Sequence, residues 1–168
     1  WWAAESRRQE NLSDDELDSI IRQGTELGTY VYIYAGGEPL VHKRDLSALC
    51  EAHSDCAFLA FTNATLMGEE FCQDLLRVKN FIPAISVEGF EEATDGRRGE
   101  GTYQKVVRAM RLLKQHGPPF GVPCCYTPAN ADSIASEAFF DWMIGTGVLC
   151  AWIFTSMPGG VDAPVAPL

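Results

Sequence analysis

The sequence lacks the cysteine and histidine patterns that hold metal centres. Its six cysteines form no CxxC or CxxxCxxC motif, and its three histidines have no metal-ligand spacing. A Ser/His/Asp set and a phosphate-binding P-loop are also absent from the pattern. We therefore predict no metal ligands in this chain, and we expect the cysteines to be reduced packing residues.

Positive charge is scarce, and long apolar runs are missing. The net charge of -10 argues against non-specific nucleic-acid binding, because such binding needs a basic face. The apolar runs are short and interrupted, and residues 1–10 are charged and have no signal-peptide core. We therefore expect neither a nucleic-acid nor a membrane partner, and we predict a cytoplasmic location.

What is present is an alternation of helical and strand patterns. The 168 residues, 46% of them hydrophobic, suit one domain, which we predict over residues 1–160 with an irregular tail at 161–168. Residues 89–101 are polar and glycine-containing and are predicted to be a loop. The predicted helices are 13–27, 44–53, 69–78, 102–115 and 134–145, and the predicted strands are 29–35, 56–62, 81–87, 119–126 and 148–155.

The strands are apolar on both faces, which indicates a parallel sheet covered by helices. A barrel, or part of one, and an open doubly wound sheet both fit this order, and periodicity does not choose between them. Pro123 has no N–H to give to a neighbouring strand, so we expect its strand to lie at an edge or to contain a bulge.

Polar and glycine residues follow every predicted strand. In either architecture, catalytic and binding residues lie at the C-terminal ends of the strands. The pattern therefore predicts a polar pocket on an apolar scaffold. The turn Gly36-Gly37-Glu38-Pro39 is the most specific of these segments. Its glycines allow close backbone approach to a ligand, and Glu38 can accept hydrogen bonds from an ammonium group. An ordinary turn with a solvated glutamate explains these residues equally well.

Several of these segments, taken together, resemble the radical S-adenosylmethionine (radical SAM) superfamily. YIYAGGEPL resembles its GGEP motif, and FTNAT, SVEG, YTPAN and SMPGG resemble the ends of successive strands. Residues 95–103 resemble its D-x-x-R-G-x-G-x-Y element, and Glu88 stands where aspartate is more usual. The similarity runs in order from residue 2 to residue 160. It implies an α/β fold, a partial (βα)6 TIM-like barrel of parallel strands covered by helices, with the first strand missing.

The resemblance also implies a binding site for S-adenosylmethionine. Glu38 would hold its ammonium group, Arg98 its carboxylate, and Ser86 and Asn63 the ribose hydroxyls. Without the resemblance, Arg98 would be read as a surface arginine, and Ser86 and Asn63 as local turn residues. The implied cofactor-binding residues are Gly36, Gly37, Glu38, Pro39, Thr62, Asn63, Ser86, Glu88, Arg98, Thr127, Asn130 and Met157.

In this superfamily a CxxxCxxC loop between the first strand and the first helix holds a [4Fe–4S] cluster. Residues 2–5 resemble those that follow the last of its cysteines, yet position 1 is Trp1. We therefore expect a fragment that is inactive by itself. The longer parent would be an oxidoreductase-like enzyme that binds the cluster and cleaves the cofactor to a 5′-deoxyadenosyl radical. It would take electrons from a flavodoxin or ferredoxin.

The parent's catalytic residues are not assigned, with Glu88 and Tyr126 only candidates for substrate contact. An alternative is a non-catalytic or degenerate domain that binds a nucleotide or a protein partner. An unrelated barrel aldolase or isomerase would need a lysine or paired carboxylates at strand ends, and no strand-end lysine is found. An open-sheet nucleotide binder would need a glycine turn that leads directly into a helix, whereas residues 38–40 intervene.

Overall fold

The structure, a computed structural model, describes residues 12–35 and 37–155. Helices and strands alternate through these residues, and Ser13 and Glu16 begin the first helix with the capping box that the sequence contains. A 3₁₀ turn, Pro39–His42, follows the first strand. The elements are α1 Asp14–Glu26, β1 Val31–Tyr34, α2 Lys43–Ala52, β2 Ala57–Thr62, α3 Glu69–Val78, β3 Phe81–Ile85, α4 Glu91–Arg98, α5 Thr102–His116, β4 Gly121–Tyr126, α6 Ala131–Ile134, α7 Glu137–Thr146 and β5 Cys150–Thr155.

The five strands form one parallel sheet in which β1 to β5 lie side by side in sequence order. The sheet curls into a half-barrel, and the seven α-helices of the described chain cover it. Strand order never reverses within it, so it has no switch point of the doubly wound kind. The partial TIM-like barrel is therefore confirmed, and the open doubly wound sheet is wrong.

Small residues allow the sheet to curl. Phe61 on β2 contacts Trp152 on β5 with ring centroids 6.1 Å apart, although two strands lie between them. The residues in register between these strands are Ala84 and Gly121. A Cβ atom on Gly121 would lie 2.6 Å from the Trp152 ring, so only glycine fits there. On the opposite face of the sheet, Phe58 packs into the core beneath the helices.

The predicted loop at 89–101 is wrong for most of its length, because α4 occupies Glu91–Arg98. The helix gives no apolar stripe in the sequence, since Thr94 is its one buried residue. Gly99 ends the helix with a positive φ of 98°.

The edge expectation for Pro123 is also wrong, because β4 lies between β3 and β5. The carbonyl of Pro123 accepts from the Val87 N–H, so its nitrogen also faces β3. The pairing of β3 with β4 is reduced to the single pair Ala84 and Gly121. A broken ladder on this side therefore removes the need for an N–H at Pro123.

All six cysteines are free, which confirms the prediction of reduced thiols. Five of them are buried, and burial raises the pKa of the Cys50 and Cys124 thiols to about 12. Cys150 is exposed, so it is not the packing residue that we expected. Within residues 12–35 and 37–155, no helix is both long enough and apolar enough to cross a lipid bilayer.

Candidate functional site

A carboxylate ties the turn after β1 to the end of β2. Glu38 Oε1 accepts from the Leu40 N–H at 3.1 Å and from the Thr62 hydroxyl at 2.6 Å. Its Oε2 accepts from the Asn63 N–H at 2.8 Å. Gly37 enters the turn with a positive φ of 56°, which glycine adopts readily. The Glu38 carboxylate therefore fixes the relative position of two neighbouring strand ends.

The donors to Glu38 are all neutral, and the side chain is half-buried. A carboxylate has about four lone-pair sites, so these three bonds leave room for about one more donor. Pro39 follows as the first residue of the 3₁₀ turn, where a missing N–H costs nothing. Glu38 therefore has two capacities, since it holds the turn and can still accept one hydrogen bond from a ligand.

Asn63 lies beside this turn with its amide oxygen already engaged. Asn63 Oδ1 accepts from the Thr65 N–H at 2.9 Å and from the Thr65 hydroxyl at 2.7 Å. Thr62 is buried, and its Oγ1 also accepts from the Ala64 N–H at 2.9 Å. The Asn63 amide nitrogen is thus left available for a ligand, whereas the buried Thr62 hydroxyl has already donated its one proton to Glu38.

A second carboxylate follows β3, and it is completely enclosed. Glu88 has 0% side-chain exposure. Its Oε1 accepts from Arg98 Nε at 3.0 Å and Nη2 at 2.5 Å, and its Oε2 accepts from the Cys125 N–H at 2.7 Å. Arg97 Nε lies 3.6 Å from the same Oε1. The buried negative charge is therefore compensated by guanidinium groups, as such a charge requires.

The backbone of Glu88 is held as firmly as its side chain. Its N–H donates to Thr94 Oγ1 at 3.0 Å, and its carbonyl accepts from Asn130 Nδ2 at 3.1 Å. Asn130 Nδ2 also donates to the Cys125 carbonyl, and its Oδ1 accepts from the Thr127 N–H and hydroxyl. Asn130 is buried and clamps the end of β3 to the end of β4.

The loop after α4 is shaped by Asp95. One oxygen of its carboxylate accepts from the Gly101 N–H and the other from the Tyr103 N–H, both at 2.7 Å. These two N–H groups lie at the start of α5, where a helix has free donors and favours negative charge. Asp95 therefore closes the short loop that follows Arg98, the last residue of α4.

Two cavities open at this edge of the sheet, and Arg97 lines both. The first has a volume of about 370 Å³ and is lined by Asn63, Thr65, Arg97, Arg98 and Thr102. The second has a volume of about 720 Å³ and is lined by Phe90, Glu92, Ala93, Gly96, Arg97, Thr127, Ala129, Asn130 and Ser133. Asn63 contributes its backbone N–H to Glu38 and its side chain to the first cavity, so it connects the Glu38 turn with Arg98.

The comparison with known families agrees with this geometry. The sequence model of the Radical SAM superfamily matches residues 2–129, most of the chain. The chain belongs to the radical SAM superfamily. The part of the chain that matches this superfamily therefore includes the turn around Glu38, the end of β3, and Arg98 with the loop that follows it.

Curated members of the superfamily are similar to this chain at low identity. Fe-coproporphyrin III synthase of Methanosarcina barkeri is 26% identical over 136 residues, which are 79% of this chain and 33% of that protein. The serine-type anaerobic sulfatase-maturating enzyme of Klebsiella aerogenes is 27% identical over 153 residues, covering 81% of this chain and 37% of that protein. The chain thus spans about a third of the length of these radical SAM relatives.

Solved structures of radical SAM proteins have the same fold. Streptococcus suis SuiB bound to S-adenosylmethionine gives a TM-score of 0.78 at 18% identity, covering 94% of this chain and 37% of SuiB. Native anSMEcpe with bound AdoMet gives a TM-score of 0.72 at 20% identity, covering 96% of this chain and 49% of that protein. At these identities the likeness supports the half-barrel alone.

The structure brings only some of the predicted cofactor residues to a cavity. Asn63 and Arg98 line the first cavity, and Thr127 and Asn130 line the second. Thr62, Ser86 and Glu88 are buried behind them. Gly37, Glu38 and Pro39 form the turn beside Asn63, and Gly36 and Met157 lie outside the described residues. Their roles as cofactor ligands remain predictions, as do the boundary at residue 160 and the likeness of residues 2–5 to the segment after the cluster loop.

The sequence prediction did not name Arg97 or Thr102 as site residues, and it included Asp95 in the superfamily element without giving it a role. Arg97 is adjacent to the arginine that the superfamily motif selects, and its doublet with Arg98 was the signal that could have found it. Among residues 12–35 and 37–155, no three His, Cys, Asp or Glu side chains are grouped so that they could hold a metal ion. The described residues therefore do not fit an iron–sulfur cluster.

Proposed function

We propose that this chain is the S-adenosylmethionine-binding part of a radical SAM enzyme. The observation that carries the proposal is the first cavity, where Asn63 lies between the Glu38 turn and the Arg97–Arg98 pair. The amino-acid tail of S-adenosylmethionine has an ammonium and a carboxylate group. Arg97 and Arg98 line this cavity and suit the carboxylate, and Glu38, which accepts from the N–H of the cavity residue Asn63, suits the ammonium group.

The donor set fits the separate parts of this cofactor. Glu38 accepts one more hydrogen bond and would take it from the ammonium group. The free N–H groups of Arg98, with Arg97 beside them, would bind the carboxylate, because guanidinium donors form strong bonds with it. The Asn63 amide nitrogen and the Ser86 hydroxyl would bind the ribose. Gly36 and Gly37 would approach the cofactor through their backbone, and Met157 would lie near the adenine.

The chemistry supplied by S-adenosylmethionine and a [4Fe–4S] cluster in this superfamily is reductive cleavage to a 5′-deoxyadenosyl radical. The ligands of such a cluster would come from cysteines other than those of the described residues. A flavodoxin or ferredoxin as the reductant and a cytoplasmic location are further parts of the proposal, and both rest on the family resemblance. The residues described here would bind and orient the cofactor.

Calorimetry with S-adenosylmethionine tests the binding part of the proposal. We expect weak but measurable binding by the 168-residue chain, and a weaker signal from the Arg98→Gln variant. Glu100→Gln is a matched control, because Glu100 is exposed in the loop that directly follows Arg98. Equal binding by the wild-type and Arg98→Gln chains would contradict the assignment of the carboxylate to this cavity.

Enzyme activity needs a second experiment. The coding sequence upstream of residue 1 is added, and the longer protein is reconstituted anaerobically with iron and sulfide. Release of 5′-deoxyadenosine would support the proposal, whereas a longer protein that binds no cluster would overturn its enzymatic part. The 168-residue chain alone is expected to release none.

A further inference from the structure

The two arginines beside the first cavity have different surroundings. Arg98 donates Nε and Nη2 to the Glu88 carboxylate and has 25% side-chain exposure. Arg97 contacts the same carboxylate only as an ion pair at 3.6 Å. A guanidinium has five N–H donors, so Arg98 keeps three of them after binding Glu88. Because Arg98 lines the cavity, these donors are available to a ligand there.

Glu88 itself has no route to a ligand. Its side chain is 0% exposed, and both carboxylate oxygens have partners within the protein. Its backbone N–H and carbonyl are engaged by Thr94 and Asn130. A carboxylate enclosed on every side can influence a ligand only through a group that touches that ligand.

We infer that Glu88 is a positioning residue that fixes the Arg98 guanidinium for the carboxylate of the cofactor's amino-acid tail. This inference rests on the proposed function. A free arginine side chain has many rotamers, and their loss weakens binding. The two hydrogen bonds from Arg98 to Glu88 Oε1 remove that freedom before the ligand arrives, and the Cys125 N–H holds the carboxylate itself in place.

The charges of the cluster are consistent with this role. Two guanidinium groups and one carboxylate leave one positive charge beside the cavity. Glu88 thus orients Arg98 without abolishing the attraction for a monoanion, because Arg97 supplies the surplus. The arrangement suits a single carboxylate group on the ligand.

Two effects of Glu88 predict opposite results for the Glu88→Gln variant. If Glu88 acted only through its charge, its removal would strengthen the binding of an anionic group. If Glu88 orients Arg98, its removal weakens the binding of a carboxylate. A purely structural role would weaken the binding of every ligand by the same factor. The direction of the change therefore separates the charge effect from the other two, and a comparison of ligands with and without a carboxylate separates orientation from a purely structural role.

The test compares S-adenosylmethionine with decarboxylated S-adenosylmethionine, which keeps the ammonium and sulfonium groups and lacks the carboxylate. Calorimetry gives the ratio of the two Kd values for the wild-type chain, Glu88→Gln, Glu88→Asp and the Glu100→Gln control. We expect the preference for the carboxylate-bearing ligand to fall about tenfold in Glu88→Gln, since a charge-assisted hydrogen bond has about this effect on affinity. Glu100→Gln should keep the wild-type ratio.

Glu88→Asp keeps the buried charge and shortens the side chain by one methylene, so it cannot reach both Arg98 and the Cys125 N–H. If this variant also loses its preference for the carboxylate-bearing ligand, the loss cannot be due to charge, and it would support the role of Glu88 in orienting Arg98. Both ligands are titrated into the same preparation of each variant. A smaller fraction of folded protein therefore leaves the ratio of the two Kd values unchanged. A wild-type ratio retained or increased in both variants overturns the inference alone. A wild-type chain without preference for the carboxylate overturns the proposed carboxylate site and, with it, this inference.

Discussion

Glu38 and Glu88 occupy equivalent places in the fold, since each follows a parallel strand and binds the end of the next one. Their surroundings differ. Glu38 is half-buried and accepts only from two backbone N–H groups and a hydroxyl. Glu88 is enclosed and is paired with a guanidinium group. The exposure of a carboxylate therefore determines which hydrogen-bond partners it needs. A fully buried carboxylate needs an opposite charge, whereas a half-buried one can rely on neutral donors and water.

The largest effect should come from removing the cation that compensates Glu88. Arg98→Met leaves a buried carboxylate without its hydrogen-bonded cation, which costs about 3–5 kcal/mol of the free energy of unfolding. Urea denaturation of the wild-type and variant chains measures this loss.

Arg97→Met is the matched control for that variant. Arg97 is more exposed and only 3.6 Å from Glu88, so its removal should cost less than about 1 kcal/mol. Equal losses in the two variants would show that both arginines compensate Glu88 to the same extent, and the distinction between them would be wrong.

The sequence predicted the places of these two carboxylates but not their difference. The segments GGEP and SVEG at strand ends identified Glu38 and Glu88 as site residues through the family resemblance. Burial of Glu88 depends on α4 and on contacts with Arg98 ten residues later and with Cys125 on another strand. Such long-range pairing leaves no local pattern. A short motif therefore indicates that a residue matters without indicating whether it touches the ligand.

The same limit explains the errors in the fold. The strand bodies were found because an apolar run bounded by turn residues is a local signal. The helix α4 was missed because it is polar and buries only Thr94, so tertiary contacts rather than periodicity define it. Pro123 was expected at an edge or in a bulge because the missing ladder bonds between β3 and β4 cannot be read from one strand.

An intermediate effect is expected for Glu38→Gln. The amide keeps one oxygen acceptor and turns an NH₂ group towards a donor, so at least one hydrogen bond is lost at a cost of about 1–3 kcal/mol. Hydrogen exchange at the Asn63 amide should become faster, because that N–H donates to the carboxylate. Glu70→Gln, on an exposed position of α3, is the control. Unchanged exchange at Asn63 would show that the turn does not depend on Glu38.

A smaller effect is expected at Asp95, which supports the Glu88 region indirectly. Asp95→Asn keeps one acceptor oxygen and loses one of the two charge-assisted bonds to the start of α5, at a cost of about 1 kcal/mol. Amide exchange at Gly101 and Tyr103 reports which bond is lost. If neither amide exchanges faster, the loop that follows Arg98 is held by other contacts.

Asp18 extends the comparison to a carboxylate on the surface of α1, with 30% side-chain exposure, and should give the smallest effect. It is hydrogen-bonded to Arg22 at 2.7 Å and to His53 at 2.8 Å, and so joins α1 to the end of α2. The hydrogen bond from Arg22, followed by that from His53, lowers the pKa of Asp18 from its ordinary value of 3.8. A lowered folded-state pKa means that the contribution to stability is complete above 3.8 and disappears as the pH falls through the folded-state pKa. The free-energy difference between the wild type and Asp18→Asn should therefore be constant near neutral pH and shrink in acid.

Denaturation curves collected from neutral to strongly acidic pH test the Asp18 prediction. Arg22→Gln should weaken the pH dependence, because it removes the hydrogen bond that lowers the pKa of Asp18 most. Parallel curves for the wild type and Asp18→Asn down to the most acidic pH would show that this carboxylate contributes nothing to stability through its charge.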